Sequence, residues 1–386
     1  MAVTLAPSNK RRTAFHELAV AEVRRLTADA IEVTFAVPEN LVGQYNYVPG
    51  QYVALRTSMD IDGEAKEVRR SYSICAEPKP GEIRVAIKKD IGGLFSTWAN
   101  EHLKVGDTMD VMSPMGQFIS KHEMTELNSP EDIDVDVENT FVAVAAGSGI
   151  TPVISIARTV LAASDNVRFD LIYANKASMD VMFLEELADL KDRYPARFAL
   201  HHVLSREQRI SPLLSGRIDA EKLQHLLGTV IPVESVDEWF LCGPFELVQL
   251  CRDSLAERGV PAEDVRFELF TTGEPNRPEG QIGRPVKVDD DAETYAINFT
   301  LDGLKGTVKS PTHARETILN AALRVRPDVP FACAGGVCGT CRAKVVSGTI
   351  EMDENYALEP DEIEKGFILT CQSRPTSDEV TVDYDA

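Results

Sequence analysis

The stretch Cys333-Ala334-Gly335-Gly336-Val337-Cys338-Gly339-Thr340-Cys341, followed at a distance by Cys371, constrains this chain more than any other. Four residues separate Cys333 from Cys338, two separate Cys338 from Cys341, and twenty-nine separate Cys341 from Cys371. This is the plant-type spacing for four thiolates around a [2Fe–2S] cluster. Three thiolates drawn from nine residues can converge only if the backbone wraps around the ligand. Gly335, Gly336 and Gly339 permit the positive-φ conformations such wrapping needs, and they leave backbone N–H groups to point at the sulfurs. Two other uses of cysteine fit less well. A structural zinc site shows two short Cys-x-x-Cys knuckles, and here there is one. A disulfide framework belongs to short secreted chains, whereas this chain has 386 residues, seven cysteines and no apolar signal segment after Lys10-Arg11-Arg12. Cys75 and Cys251 read as small core residues.

Such a length exceeds one ordinary domain. Four segments are expected: 13–122, 139–270, a tether at 271–293, and 294–386. With 44% hydrophobic and 26% charged residues the chain reads as globular. No apolar run reaches the length of a membrane span, so a cytoplasmic protein without a membrane partner is expected. A net charge of −21 argues against nucleic acid as a partner. It suits docking on a basic surface, and residues 291–386 carry nine Lys/Arg against sixteen Asp/Glu.

In 13–122, the β-rich runs 31–37, 52–55 and 83–87 alternate with turn signals at Pro49-Gly50 and Pro80-Gly81, which predicts an antiparallel barrel. Arg70-Ser71-Tyr72-Ser73 falls on a strand, with Arg70 and Tyr72 on one face and Ser71 and Ser73 on the other. Gly92-Gly93-Leu94-Phe95-Ser96 opens a helical stretch through His102. Free N–H groups at a helix start, with Ser96 beside them, suit an anion. The acidic run 131–138 reads as a solvated linker.

In 139–270, apolar strands alternate with helical patterns, predicting a parallel sheet with crossover helices. The strand 141–145 runs into Gly147-Ser148-Gly149-Ile150-Thr151-Pro152, a tight turn feeding a helix whose N–H groups can meet a dinucleotide phosphate. The strand 198–204 ends at Ser205-Arg206, where a hydroxyl and a guanidinium suit a ribose 2′-phosphate. His201 and His202, adjacent on that strand, face opposite ways and cannot pair on one ion. The strand 238–241 ends at Cys242-Gly243-Pro244, and Phe267-Glu268-Leu269-Phe270 closes the segment. In 294–386, strands around 295–300 and 306–309 flank the hairpin signal Asp302-Gly303. A short helix near 317–323 precedes the cysteine loop.

Arg-x-Tyr-Ser, then Gly-Gly-x-x-Ser, then Gly-x-Gly-x-x-Pro, in this order, resemble the ferredoxin–NADP⁺ reductase family. The C-terminal part resembles a β-grasp plant-type ferredoxin. The resemblance implies FAD bound through Arg70 and Ser96 at its pyrophosphate and Tyr72 at its ring, with Ile87 and Gly93 among the flavin contacts. It implies Ser73, Cys242 and Glu268 at the hydride path. It places NADPH on Gly147, Gly149, Thr151, Pro152, Ser205, Arg206, Gly243 and Pro244, and the cluster on Cys333, Cys338, Cys341 and Cys371. In many relatives an aromatic two residues after a Glu caps the flavin at the chain end; Phe270 holds that place here, and the chain runs on for more than a hundred residues. The domain order is similar to reductase components of bacterial multicomponent oxygenases, so an oxygenase component is the implied partner. The likeness of 329–341, 355–362 and 382–386 points to a di-iron oxygenase that epoxidises an aromatic-ring CoA thioester. Reductases of Rieske oxygenases and steroid hydroxylases share the order, and a phthalate-dioxygenase-type reductase would carry FMN. A ferredoxin fused to a flavin fold that only docks partners is the non-enzymatic alternative, and the intact Arg70, Tyr72, Ser73, Ser96, Gly147 and Gly149 set argues against it.

Overall fold

The computed structural model describes residues 3–5, 15–61, 64–90, 93–116, 118–121, 139–270, 293–301, 304–326, 341–353, 357–358 and 360–386, with Val329, Phe331, Gly336, Gly339 and Asn355. They fall into two compact units, residues 15–57 with 72–273, and residues 1–14 and 58–71 with 274–386.

An antiparallel six-stranded sheet has the order Glu64–Ser73, Tyr52–Ile61, Thr108–Met112, Phe15–Thr27, Ala30–Ala36, Glu82–Lys88. An antiparallel bridge from Ile74 to Val85 closes it into a barrel. Closure removes the exposed edges that such short strands would otherwise present. Inward positions such as Val33, Phe35, Val53, Leu55, Val85 and Ile87 are fully buried.

The five-stranded parallel sheet has the order Phe198–Leu204, Val167–Asn175, Asn139–Ala146, Glu238–Gly243, Val265–Leu269. The central strand, NTFVAVAA, is buried at every residue but its last, as a strand covered by helices on both faces must be. The helix Ile150–Ala163 buries eleven of its fourteen residues, packed against this sheet and also against the barrel, where the Ser155 hydroxyl donates to the Ala76 carbonyl at 2.5 Å. Among the described residues no helix is long and apolar enough to cross a membrane.

The C-terminal part is a β-grasp. Its sheet runs Leu304–Pro311, Thr294–Leu301, Glu379–Asp383, Arg342–Ser347, Phe367–Leu369, with one parallel pair between Thr294–Leu301 and Glu379–Asp383. The helix Ile318–Leu323 starts at Thr317, whose hydroxyl accepts from the Asn320 N–H at 3.3 Å, and five of its six residues enter the core. The predicted hairpin is present, with Leu301 paired to Leu304; its turn residues, the acidic run 131–138 and the tether residues 271–292 lie outside the described residues. The sequence did not signal a second small sheet, Val3–Leu5, Ile350–Met352 and Ser373–Pro375, in which Val3–Leu5 pairs in parallel with Ile350–Met352.

Candidate active site

In a doubly wound sheet, ligands bind where the strand order reverses, outside the carboxyl ends of the strands. Here the order reverses between Asn139–Ala146 and Glu238–Gly243. The chain leaves the first at Gly147–Gly149 and the second at Pro244. The two turns touch: a Cβ on Gly149 would collide with the Cys242 carbonyl and come within 2.9 Å of the Gly243 nitrogen. Only glycine lets them approach so closely. The Gly147 carbonyl accepts from the Tyr173 phenol at 2.9 Å, and the Thr151 hydroxyl donates to the Ser148 carbonyl at 3.0 Å. The turn is thereby rigid before any ligand arrives. The helix Ile150–Ala163 has no side-chain cap. The Ile150 N–H is taken by the Gly147 and Ser148 carbonyls and Pro152 has none, so the Thr151 N–H is the first-turn donor that an anion can meet.

Cys242 stands opposite Glu268 in the register of the last two strands. From the barrel, Ser73 donates to Glu268 Oε2 at 3.2 Å. The Phe270 N–H donates to the Gly243 carbonyl at 2.9 Å, and its ring packs on the core cluster that contains Cys242. Ser73, Cys242, Glu268 and Phe270, spread over nearly two hundred residues, are thus one neighbourhood. Burial, with a smaller contribution from the Glu268 charge, pushes the Cys242 thiol well above its usual range. The residue is therefore a neutral thiol at ordinary pH, not a thiolate nucleophile. Tyr72, next to Ser73, packs its ring 5.8 Å from Phe95 at 31°.

Ser96 lies in the first turn of the helix Leu94–His102. Its hydroxyl accepts from the Asp90 N–H at 3.0 Å and contacts the Gly93 carbonyl at 3.4 Å, closing the turn before the helix. Gly93 precedes that helix, Ile87 is fully buried in the barrel, and Arg70 is half-buried on the strand that carries Tyr72. The Ser205 and Arg206 N–H groups donate to the Asn175 and Lys176 carbonyls at 2.9 and 2.7 Å, which fixes this strand end against its neighbour. The Arg206 side chain is exposed, and the adjacent Glu207 is engaged by the Ser178 N–H and hydroxyl at 2.6 and 2.7 Å. Burial lowers the pKa of both His201 and His202; the His202 ring lies 5.9 Å from that of Tyr173, tilted by 43°.

Sequence reasoning missed two residues. The Asn175 amide nitrogen is buried at the carboxyl end of its strand and meets no hydrogen-bond acceptor among the described residues. A buried donor left unpaired is costly, so this atom fits a polar ligand at the crevice. Its signal was a lone amide closing the apolar run FDLIYAN. Glu238, fully buried at the start of its strand, was visible only as a charge opening the apolar run EWFLCG.

In the ferredoxin part, Cys341 precedes the strand Arg342–Ser347 and Cys371 follows the strand Phe367–Leu369 by one residue. Antiparallel pairing of Arg342 with Leu369 brings the two ends together. Thr370 locks them, its N–H and hydroxyl donating to the Cys341 carbonyl at 3.1 and 2.9 Å. Both cysteines are buried within the apolar cluster. Gly336 and Gly339 adopt φ of +81° and +69°, the wrapped conformation the motif requires. Cys333, Cys338 and Gly335 lie outside the described residues. Two buried soft donors held side by side fit an iron–sulfur centre.

Three sequence families match: an oxidoreductase FAD-binding domain over residues 17–119, an oxidoreductase NAD-binding domain over 143–253, and a 2Fe-2S iron-sulfur cluster binding domain over 299–376. The chain is 41% identical over 382 residues to one component of the 1,2-phenylacetyl-CoA epoxidase of Escherichia coli (strain K12), covering 97% of this chain and 99% of that protein. The chain belongs to the ferredoxin–NADP⁺ reductase family, with a C-terminal 2Fe-2S ferredoxin domain. It is also 34% identical to the ferredoxin reductase component of 3-ketosteroid-9-alpha-monooxygenase of Mycobacterium tuberculosis, over 96% of each chain. The fold matches that of phthalate dioxygenase reductase, with a TM-score of 0.51 and 21% identity over 96% of this chain and 98% of that one. The protein is an NAD(P)H-dependent iron–sulfur flavoprotein oxidoreductase whose cofactors are FAD and [2Fe–2S]. When bound, these supply the conversion of a two-electron donor into single-electron steps.

Proposed function

We propose that Ser73, Cys242 and Glu268 line the hydride path, with Tyr72 and Phe270 against the flavin ring and Arg70, Ile87, Gly93 and Ser96 around the rest of the flavin. Gly147, Gly149, Thr151, Pro152, Gly243 and Pro244 form the nicotinamide-nucleotide crevice. The observation that carries this reading is the Ser73–Glu268 hydrogen bond beside Cys242 at the switch point. It joins the barrel to the nucleotide-binding sheet where the two ligands have to meet. Within it, the Ser73 hydroxyl orients the Glu268 carboxylate, and Cys242 contributes a neutral, water-excluding wall. The cluster ligands are Cys333, Cys338, Cys341 and Cys371.

NADPH is the preferred donor in this reading, because Arg206 is exposed and its neighbouring acid is already engaged. Anaerobic stopped-flow absorbance against NADPH and NADH tests it. Replacing Arg206 with Ala is expected to weaken NADPH binding by about 10- to 100-fold, the loss of one charge-assisted contact of about 1.5–3 kcal/mol, while NADH is unaffected. Equal losses for both nucleotides would remove the 2′-phosphate assignment.

The electron acceptor proposed is a multicomponent oxygenase, and within that class the di-iron epoxidase acting on phenylacetyl-CoA, in phenylacetate catabolism. End-to-end similarity to the epoxidase component supports it, as does an acidic ferredoxin part suited to a basic docking patch. Reconstitution in air with the purified remaining epoxidase components, NADPH, dioxygen and phenylacetyl-CoA is expected to yield the ring epoxide, the second oxygen atom leaving as water. Product formation with a steroid monooxygenase component in place of the epoxidase would redirect the assignment to the steroid class.

A further inference from the structure

The last two strands of the parallel sheet meet the barrel along one line. On Glu238–Gly243, residues 238, 240 and 242 share a face, and on Val265–Leu269 residues 266 and 268 are the register partners of 240 and 242. Each rung of this ribbon has a partner, either in the barrel or in residues 118–121, which follow its last strand, Thr108–Met112. At the amino end, Glu238 accepts from the Ser120 hydroxyl at 2.5 Å, from the Lys121 N–H at 3.0 Å, and from Arg266 Nε at 3.0 Å. Arg266 Nε also donates to the Ile119 carbonyl at 3.1 Å, and Lys121 Nζ pairs with Asp264 at 2.6 Å. In the middle, the Phe240 ring meets Phe118 edge-on, 5.6 Å between centroids. At the carboxyl end stand Cys242 and Glu268, with Ser73 on the latter.

Glu238 is fully buried, and it touches nothing at the proposed hydride path. A buried carboxylate is expensive to keep unless it is fully paired, and much of the pairing of this one is to residues 120 and 121, on the segment that leaves the barrel after Thr108–Met112. The pairing cannot slide. A shift of one residue would strand the charge and move Phe240 off Phe118. The fixed distance from Glu238 to Cys242, four residues at about 3.3 Å each, then helps to set how deep the carboxyl end of the ribbon sits against Ser73, together with the Ser155 hydroxyl on the Ala76 carbonyl at 2.5 Å.

We propose that Glu238, with Arg266 and Ser120, is a positioning cluster for hydride transfer: it holds the barrel and the nucleotide-binding sheet in the one register that brings Cys242 and Glu268 to Ser73. The inference rests on the hydride path proposed above.

The test uses the flavin-loaded full chain carrying Glu238→Ala, Glu238→Gln, Ser120→Ala or Ser73→Ala. Four quantities are read: the NADPH-driven flavin reduction rate, its isotope effect with NADPH deuterated at nicotinamide C4, the NADP⁺ dissociation constant by absorbance titration, and the visible circular dichroism of the oxidised flavin. Glu238→Ala is expected to slow flavin reduction by about 10- to 100-fold, the scale of a misplacement near 1 Å. The isotope effect and the flavin dichroism should change, and the NADP⁺ constant should stay within about twofold. Glu238→Gln and Ser120→Ala should lie between this variant and the parent, and they carry the test if Glu238→Ala does not fold. A lower melting temperature with unchanged rate, isotope effect and dichroism would reduce the cluster to a structural brace and overturn the proposal. If Ser73→Ala itself left flavin reduction unchanged, the hydride path would fail first. If Ser73→Ala slowed it while all three cluster variants did not, only the positioning role would fail.

Discussion

Cys242 and the pair Cys341 and Cys371 are the same residue type, all buried, and the chain treats them in opposite ways. Cys242 lies inside a strand, its backbone committed to ladders on both sides. Burial and a nearby carboxylate hold its proton in place. Cys341 and Cys371 sit just outside strand ends, brought together by pairing of the strands between them and by Thr370. Metal thiolates have to converge, so they belong at ends and loops where the backbone can turn. The wall residue proposed for the hydride path has only to be small, apolar and fixed, so a strand interior serves it.

The largest effect expected from this contrast comes at the cluster. Cys341→Ser or Cys371→Ser should abolish the cluster's visible and paramagnetic signals and all single-electron transfer to an acceptor. Flavin reduction by NADPH should remain within about threefold of the parent, since those cysteines take no part in holding the hydride path. Loss of both reactions would mean that the two regions are not independent. The next effect is at the path. Ser73→Ala should slow flavin reduction by about 10²-fold through loss of Glu268 orientation, with the cluster spectrum intact; stopped-flow absorbance at flavin and cluster wavelengths separates the two. The smallest concerns a thiol with burial only. Burial pushes Cys251 up to about 12 from an ordinary 9.0. Below pH 9 it is protonated in both folded and unfolded chains. Between about 9 and 12 only the unfolded chain releases the proton, so stability falls as pH rises, by up to about 1.4 kcal/mol per pH unit. Cys251→Ala should make that slope shallower by this one thiol's share in denaturant titrations between pH 9 and 10.5, the raised Cys75 and Cys242 keeping theirs; an unchanged slope would show that this thiol opens to solvent before global unfolding.

Much of the architecture was legible locally. The run FALHHVL is the observed strand Phe198–Leu204 to the residue, and EWFLCG needed only two residues added to the predicted 238–241. The barrel was readable from three short runs, but the long strand Phe15–Thr27 was not. Its polar insertions, Glu17, Glu22, Arg24 and Arg25, interrupt any simple alternation, and a register shift between Val20 and Glu22 accommodates them. Ser96 shows the opposite limit. A serine in the first turn after two glycines reads as an anion ligand, and its hydroxyl also closes the turn by accepting from the Asp90 N–H. A short polar side chain can bond its own backbone as readily as a ligand, and spacing does not choose between them.

By itself the sequence determined what depends on neighbours along the chain: the cysteine spacing that calls for a cluster, the Gly-x-Gly turn, the order of strands and helices, and the charge of the ferredoxin part. The tertiary structure alone decided what depends on surfaces meeting across the chain. Ser73 reaches Glu268 from 195 residues away, and Glu238 finds Ser120 across 118. Periodicity determines which face a side chain takes. Which faces meet is settled only when two buried surfaces, and the polar groups trapped between them, have to be satisfied together.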